Sequence, residues 1–135
     1  MKKAIWFSRH RPTPEQIEDA ARMGYALITT PEGVALGAMD LQDKGDVFAC
    51  ATALLGHCQE QGATAIFGVF AAPILAQIAR TSEDIRQRGE INERDIPCFA
   101  AWNVQRSQEG GKPSFHHKQW LGIGRLNQNS CRWLQ

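Results

Sequence analysis

The apolar positions of this chain fall into short runs separated by amphipathic stretches. Residues 3–8, KAIWFS, read as a buried strand. Thr13 then offers an N-cap hydroxyl, Pro14 stands at the first helical position, and Gln16 completes a capping box. Ile17, Ala20, Ala21 and Met23 supply the apolar face of that helix, and Gly24 ends it. Residues 25–29 predict a second strand. Residues 30–45 contain Pro31, Gly33, Gly37 and Gly45 and carry the weakest pattern; 33–37 fit a short strand or a loop. Asp46 is the expected cap of a second helix, on which Val47, Phe48, Ala51, Leu54, Leu55 and Cys58 recur before Gly62 stops it.

Residues 63–71, ATAIFGVFA, are almost continuously apolar, the mark of a central parallel strand covered on both faces. Pro73 opens a helix with Ile74, Leu75, Ile78 and Ala79, which runs on or restarts at Thr81 before Gly89. Residues 97–105 and 115–126 read as two strands joined by a Gly-, Pro- and Ser-containing loop, an antiparallel hairpin. The tail 127–135 is polar apart from Trp133 and Leu134 and is set outside a single domain 1–126. Three strand–helix units followed by a hairpin predict a three-layer α/β/α sandwich. Its sheet is mainly parallel, with a C-terminal antiparallel β-hairpin.

Composition narrows this picture. With 135 residues, 43% of them hydrophobic, the chain is long enough for one core without disulfides. No segment approaches the roughly 18 apolar residues of a membrane span, so no membrane partner is expected. The opening MKKAIWFSRH is too polar for a signal peptide, which predicts a cytoplasmic protein. Cys50, Cys58, Cys98 and Cys131 include no C-x-x-C pair and read as free thiols of a reducing compartment.

The net charge of +1 hides a segregation. Residues 1–13 carry +4, residues 14–103 carry −7, and residues 104–135 carry +4. Thirteen acids in the middle oppose extended tracking of a long nucleic acid. A confined basic site remains open to the chain if its two ends meet.

Ligands of open parallel sheets bind beyond the carboxyl ends of the strands. That rule selects Ser8–Thr13, then Thr29, Thr30 and Glu32, then Phe70, Ala71 and Ala72. From the hairpin it selects Asn103, Gln105, Arg106, Ser114, His116, His117 and Lys118. The segment 8–13 combines two arginines and a histidine with the start of a capped helix, a setting for phosphate. Arg9, Arg11 and Thr13 are the expected phosphate ligands, with Arg106, His116 and Lys118 beside them; Ser8 and His10 are the candidate catalytic pair. Adjacent strand residues face opposite ways, so His116 and His117 do not share a ligand, while Trp120 is placed on the face of His116 and Lys118. His57 reads as a packed or capping residue, and the acidic run Asp40, Asp43 and Asp46 as a solvated, cap-rich loop. No cofactor and no metal site is expected.

The first strand with SRHRPTPEQIEDA behind it resembles the small CRISPR-associated ring nucleases, over about the first 25 residues and in overall size. The resemblance implies a Rossmann-like fold related to the CARF domain and a homodimer binding cyclic oligoadenylate. It implies cleavage without a metal, in which the ribose 2′-hydroxyl attacks and Ser8, Arg9, His10 and Thr13 face the phosphate or that hydroxyl. Arg9-His10 after a first strand is also similar to the Arg-His-Gly start of the histidine phosphatases, with Arg11 in the glycine's place. In its size and its lack of a recognisable full-length family pattern the chain resembles small orphan proteins carried on mobile integron gene cassettes, which predicts only a dimeric ligand-binding or adaptor protein. The leading expectation is a compact phosphate-containing ligand, a nucleotide or cyclic oligonucleotide.

Overall fold

Five strands and four α-helices follow one another in the computed structural model, which describes residues 1–107 and 110–129. They are β1 (Lys2–Phe7), α1 (Pro14–Arg22), β2 (Tyr25–Ile28), α2 (Pro31–Gly37), α3 (Lys44–Glu60), β3 (Ala65–Gly68), α4 (Ala72–Arg88), β4 (Ile96–Ser107) and β5 (Pro113–Leu126). The sheet order is β2-β1-β3-β4-β5. Its first four strands are parallel, and β5 returns antiparallel to β4. The expected α/β sandwich with a C-terminal hairpin is the observed architecture. No helix among the described residues is long and apolar enough to cross a membrane.

Strand alternation assigns each face its own core. Ile5 and Phe7 of β1, Ile66 of β3 and Cys98 of β4 pack with Val47 and Leu54 of α3 and with Ile74 and Ile78 of α4. Ala4 and Trp6 of β1 and Ala65 and Phe67 of β3 pack on the other face with Ala20 of α1 and Trp120 of β5. Burying a side chain such as Ile66 or Phe67 completely contributes about 1.5–3 kcal/mol. Phe67 stacks on Phe99 at 4.6 Å and meets the Trp120 ring edge-on at 5.0 Å, which fixes β5 against the centre of the sheet.

Four local expectations are corrected. Residues 31–37 are helix α2, not a strand or loop: Thr30 caps it by accepting from Gly33 N, and Pro31 begins it. This repeats the Thr13-Pro14 start of α1, and the two glycines that weaken the pattern are tolerated in a seven-residue helix. The cap of α3 is Asp43, whose carboxylate accepts from Asp46 N, while Asp46 accepts from Gln42 N. Strand β3 occupies only 65–68 of the apolar run, because after Val69 N donates to Phe7 O the chain turns into α4. Helix α4 is continuous from Ala72 to Arg88.

The fourth correction concerns the hairpin. The register of β4 and β5 shifts at Cys98/Phe99 and again at Trp102/Asn103, where Trp102 faces Gln119 but Asn103 faces His117. Lys118 is the extra residue of that β-bulge. His117 therefore shares the α1 side with Trp120: its Nε2 lies 2.9 Å from Asp19 Oδ2, and Trp120 Nε1 donates to Gln16 O at 3.2 Å. The expected grouping of Trp120 with His116 and Lys118 assumed unbroken alternation.

Candidate functional site

Strand order reverses at the β1/β3 boundary: β1 connects outward to β2, and the chain then crosses back to β3. A crevice forms where loops leave such adjacent strand ends in opposite directions. Here it is a cleft of about 550 Å³. One wall is Ser8, Arg9 and His10, leaving β1; another is Val69, Phe70 and Ala71, leaving β3; Gly37–Asp40 after α2 close the third side. A second cleft of about 570 Å³ lies between the ends of β1 and β2 and α2, lined by Arg9, Arg11, Thr29, Thr30 and Val34 among others. Arg9 and Ala38 line both.

Local hydrogen bonds shape the β1 loop. Trp6 Nε1, from the buried α1 side, donates to His10 O at 2.6 Å. His10 N donates to Ser8 Oγ at 3.2 Å. Ser8 is buried, and Gly37 lies so close that a Cβ there would stand 2.5 Å from Ser8 Cα. The loop is thus held from both sides, while Arg9 and His10 stay exposed on it. Arg9 Nε donates to His10 Nε2 at 3.3 Å.

The helix termini are not equivalent. At α1, Thr13 Oγ1 accepts from Gln16 N while Gln16 Oε1 accepts from Thr13 N, so the capping box occupies the expected Thr13 hydroxyl. Thr13 lines neither cleft. Helix α4 has no side-chain cap, since Ala71 brings no oxygen, and Ala71 itself lines the first cleft. The positive end of a 17-residue helix therefore borders the cleft that holds Arg9 and His10. One carboxylate, Asp40, stands on the same cleft and accepts a hydrogen bond from Gln42 Nε2. The second cleft has two arginines and no acid among its lining residues.

Of the expected site residues, Ser8, Arg9, His10 and Arg11 come together at these two clefts. His116 and Lys118 line neither: His116 Nε2 lies 3.0 Å from Ser114 Oγ, and Lys118 Nζ sits 4.1 Å over the Trp102 ring. The side chain of Arg106 and the tail residues 130–135, with Cys131, Trp133 and Leu134, lie outside the described residues. No second histidine lines either cleft among the described residues. A groove of about 420 Å³ beside the C-terminal end of α4 holds none of the expected site residues and lies away from the carboxyl ends of the parallel strands.

Cys50, Cys58 and Cys98 are buried free thiols. Burial raises the pKa of all three, Cys58 to about 12, which removes the thiolate a nucleophile needs. No protein-family model, no curated protein and no solved structure matches the chain.

The strand-end rule reaches Thr29, Thr30, Phe70 and Ala71, but not Gly37–Asp40. Their place on the cleft follows from α2 folding back over β1, which a reading of 33–37 as a strand or loop does not predict. The missing oxygen at Ala71 was a usable signal, since a capped terminus would have had Ser, Thr, Asn or Asp there.

Proposed function

We propose that the chain binds a compact phosphate-bearing ligand, a nucleotide or cyclic oligonucleotide, across the two clefts at the carboxyl ends of β1, β2 and β3. The observation that carries this reading is the seat of Arg9 and His10 opposite the uncapped start of α4, in the crevice where strand order reverses. Arg9, shared by both clefts, and Arg11 in the second give a bridging phosphate two guanidinium partners. The clefts together are of the size that takes a nucleotide-sized ligand. Ser8 has a positioning role here, because its hydroxyl accepts from His10 N and its side is covered.

Metal-independent cleavage of cyclic oligoadenylate is the reaction proposed for this site. In this step His10, released from Arg9, takes the proton of a ribose 2′-hydroxyl on Nε2. The 2′-oxygen bonds to the adjacent phosphorus as the bond to the 5′-oxygen breaks, leaving a 2′,3′-cyclic phosphate. The 5′-oxygen then takes the proton back from the imidazolium, and the arginines neutralise the charge on the phosphate. The homodimer implied by the ring-nuclease resemblance belongs to the same proposal. The test is incubation of the tag-free chain with cyclic oligoadenylates in EDTA, beside thermal-shift titration with cyclic and linear nucleotides. Ligand at about a hundredfold over its Kd stabilises by roughly 2.7 kcal/mol, a shift of several degrees. Arg9→Ala is expected to lose that shift. Binding without cleavage reduces the function to a ligand-binding protein, and no nucleotide response in the unsubstituted chain overturns the site.

A further inference from the structure

Where the start of α2 meets the end of α3, a histidine and two carboxylates converge. His57 is in the last turn of α3, its side chain 3% exposed, and Glu60 is one turn further on the same helical face. Glu32 reaches them from the first turn of α2. One ligand atom from each of the three lies within 4.8 Å of the others. Among the described residues His57 Nδ1, which is buried, makes no hydrogen bond, although Glu32 Oε2 is 3.0 Å away. His57 Nε2 is held at 2.6 Å from Thr30 Oγ1, and that hydroxyl accepts from Gly33 N.

We propose that Glu32, His57 and Glu60 bind a divalent transition-metal ion of the zinc type through His57 Nδ1 and one oxygen of each carboxylate. Two carboxylates this close repel unless a cation stands between them. In the tautomer whose Nε2–H donates to Thr30 Oγ1, Nδ1 turns its lone pair toward Glu32, acceptor against acceptor. That is the state a metal uses, with Thr30 orienting the ring from behind. One imidazole nitrogen and two carboxylate oxygens suit zinc or manganese and leave positions for water. The ion clamps α2 to the end of α3 and so fixes Thr30, which lines the second cleft. The proposal is independent of what the clefts bind.

Calorimetric titration of the tag-free chain with Zn²⁺ alone tests it, with Mn²⁺ in a parallel run. The two exposed carboxylates allow Glu32→Gln and Glu60→Gln without opening the core. One zinc per chain is expected, with affinity at least about tenfold weaker in each variant and absent in the double variant. Zn²⁺ raises the melting temperature of the parent chain and not that of the double variant. Substitution with Co²⁺ gives a spectrum without sulfur-to-metal charge transfer. No heat of binding, equal affinity in the double variant, or a thiolate band from cysteine ligation overturns the proposal.

Discussion

Two buried polar residues show how much one side chain decides in this molecule. Gln77 of α4 is fully buried, and among the described residues neither its Oε1 nor its Nε2 has a hydrogen-bond partner. An unsatisfied buried amide costs about 1–3 kcal/mol. Gln77→Met keeps the length of the side chain and removes the polar atoms, so it is expected to stabilise by about that amount, read as a higher urea midpoint at unchanged m. Asp95 is the opposite case. Burial alone would raise its pKa, but hydrogen bonds from Asn127 Nδ2 and Asn92 N and the Arg88 guanidinium outweigh burial and hold it below the ordinary carboxylate value. A carboxyl lowered in the folded state stabilises fully above its unfolded pKa of about 3.9 and loses that contribution as pH falls through the folded value. Asp95→Asn is therefore expected to be less stable at neutral pH, with the gap to the parent chain narrowing below about pH 4. Urea unfolding at a series of pH values checks this; a gap independent of pH contradicts it.

At the scale of elements, helix α2 is the piece on which both sites depend. It touches β1 through Gly33 and the loop behind β1 through Gly37, where a Cβ would meet Trp6 O and Ser8 Cα at 2.5 Å. The same two glycines hide the helix in the sequence, because they read as breakers, whereas their contribution is close approach to the neighbouring strand. Gly37→Ala is expected to cost about 1–3 kcal/mol by overpacking and to displace α2 from the Ser8–His10 loop. Circular dichroism melts check the first effect, and a reduced nucleotide response in thermal shift checks the second. Elements with strong periodicity were legible: β1, α1, α3 and α4 all stand within a few residues of where their patterns put them, whereas the Thr30-Pro31 start of α2 was not enough by itself. The bulge at Lys118 was not, because one inserted residue reverses the facing of the side chains that follow it, up to the second register shift at Gly122/Gly124, without changing composition. That is why His117, rather than His116, packs beside Trp120 and pairs with Asp19.

At the scale of the whole molecule, the sheet gathers residues that charge totals conceal. Arg9 and Arg11 of the basic N-terminal segment sit at the carboxyl edge of β1, next to the strand-order reversal, and line the clefts there, while Lys2 and Lys3 stand at the other end of the strand. The basic C-terminal segment does not join them among the described residues: Lys118 is spent on Trp102 and His116 on Ser114. The mainly parallel α/β architecture was readable from the alternation of elements, although the strand order was not, so two walls of the first cleft could be placed at strand ends. Its third wall could not, because that wall depends on where α2 packs. Backbone amide NMR during titration with a nucleotide tests the central claim most directly, since it reports position as well as binding. The account predicts saturable shifts concentrated at Ser8–Arg11, at Val69–Ala71 and at the residues after α2, abolished by Arg9→Ala. Shifts concentrated instead in the groove beside the C-terminal end of α4, or none anywhere, would contradict it.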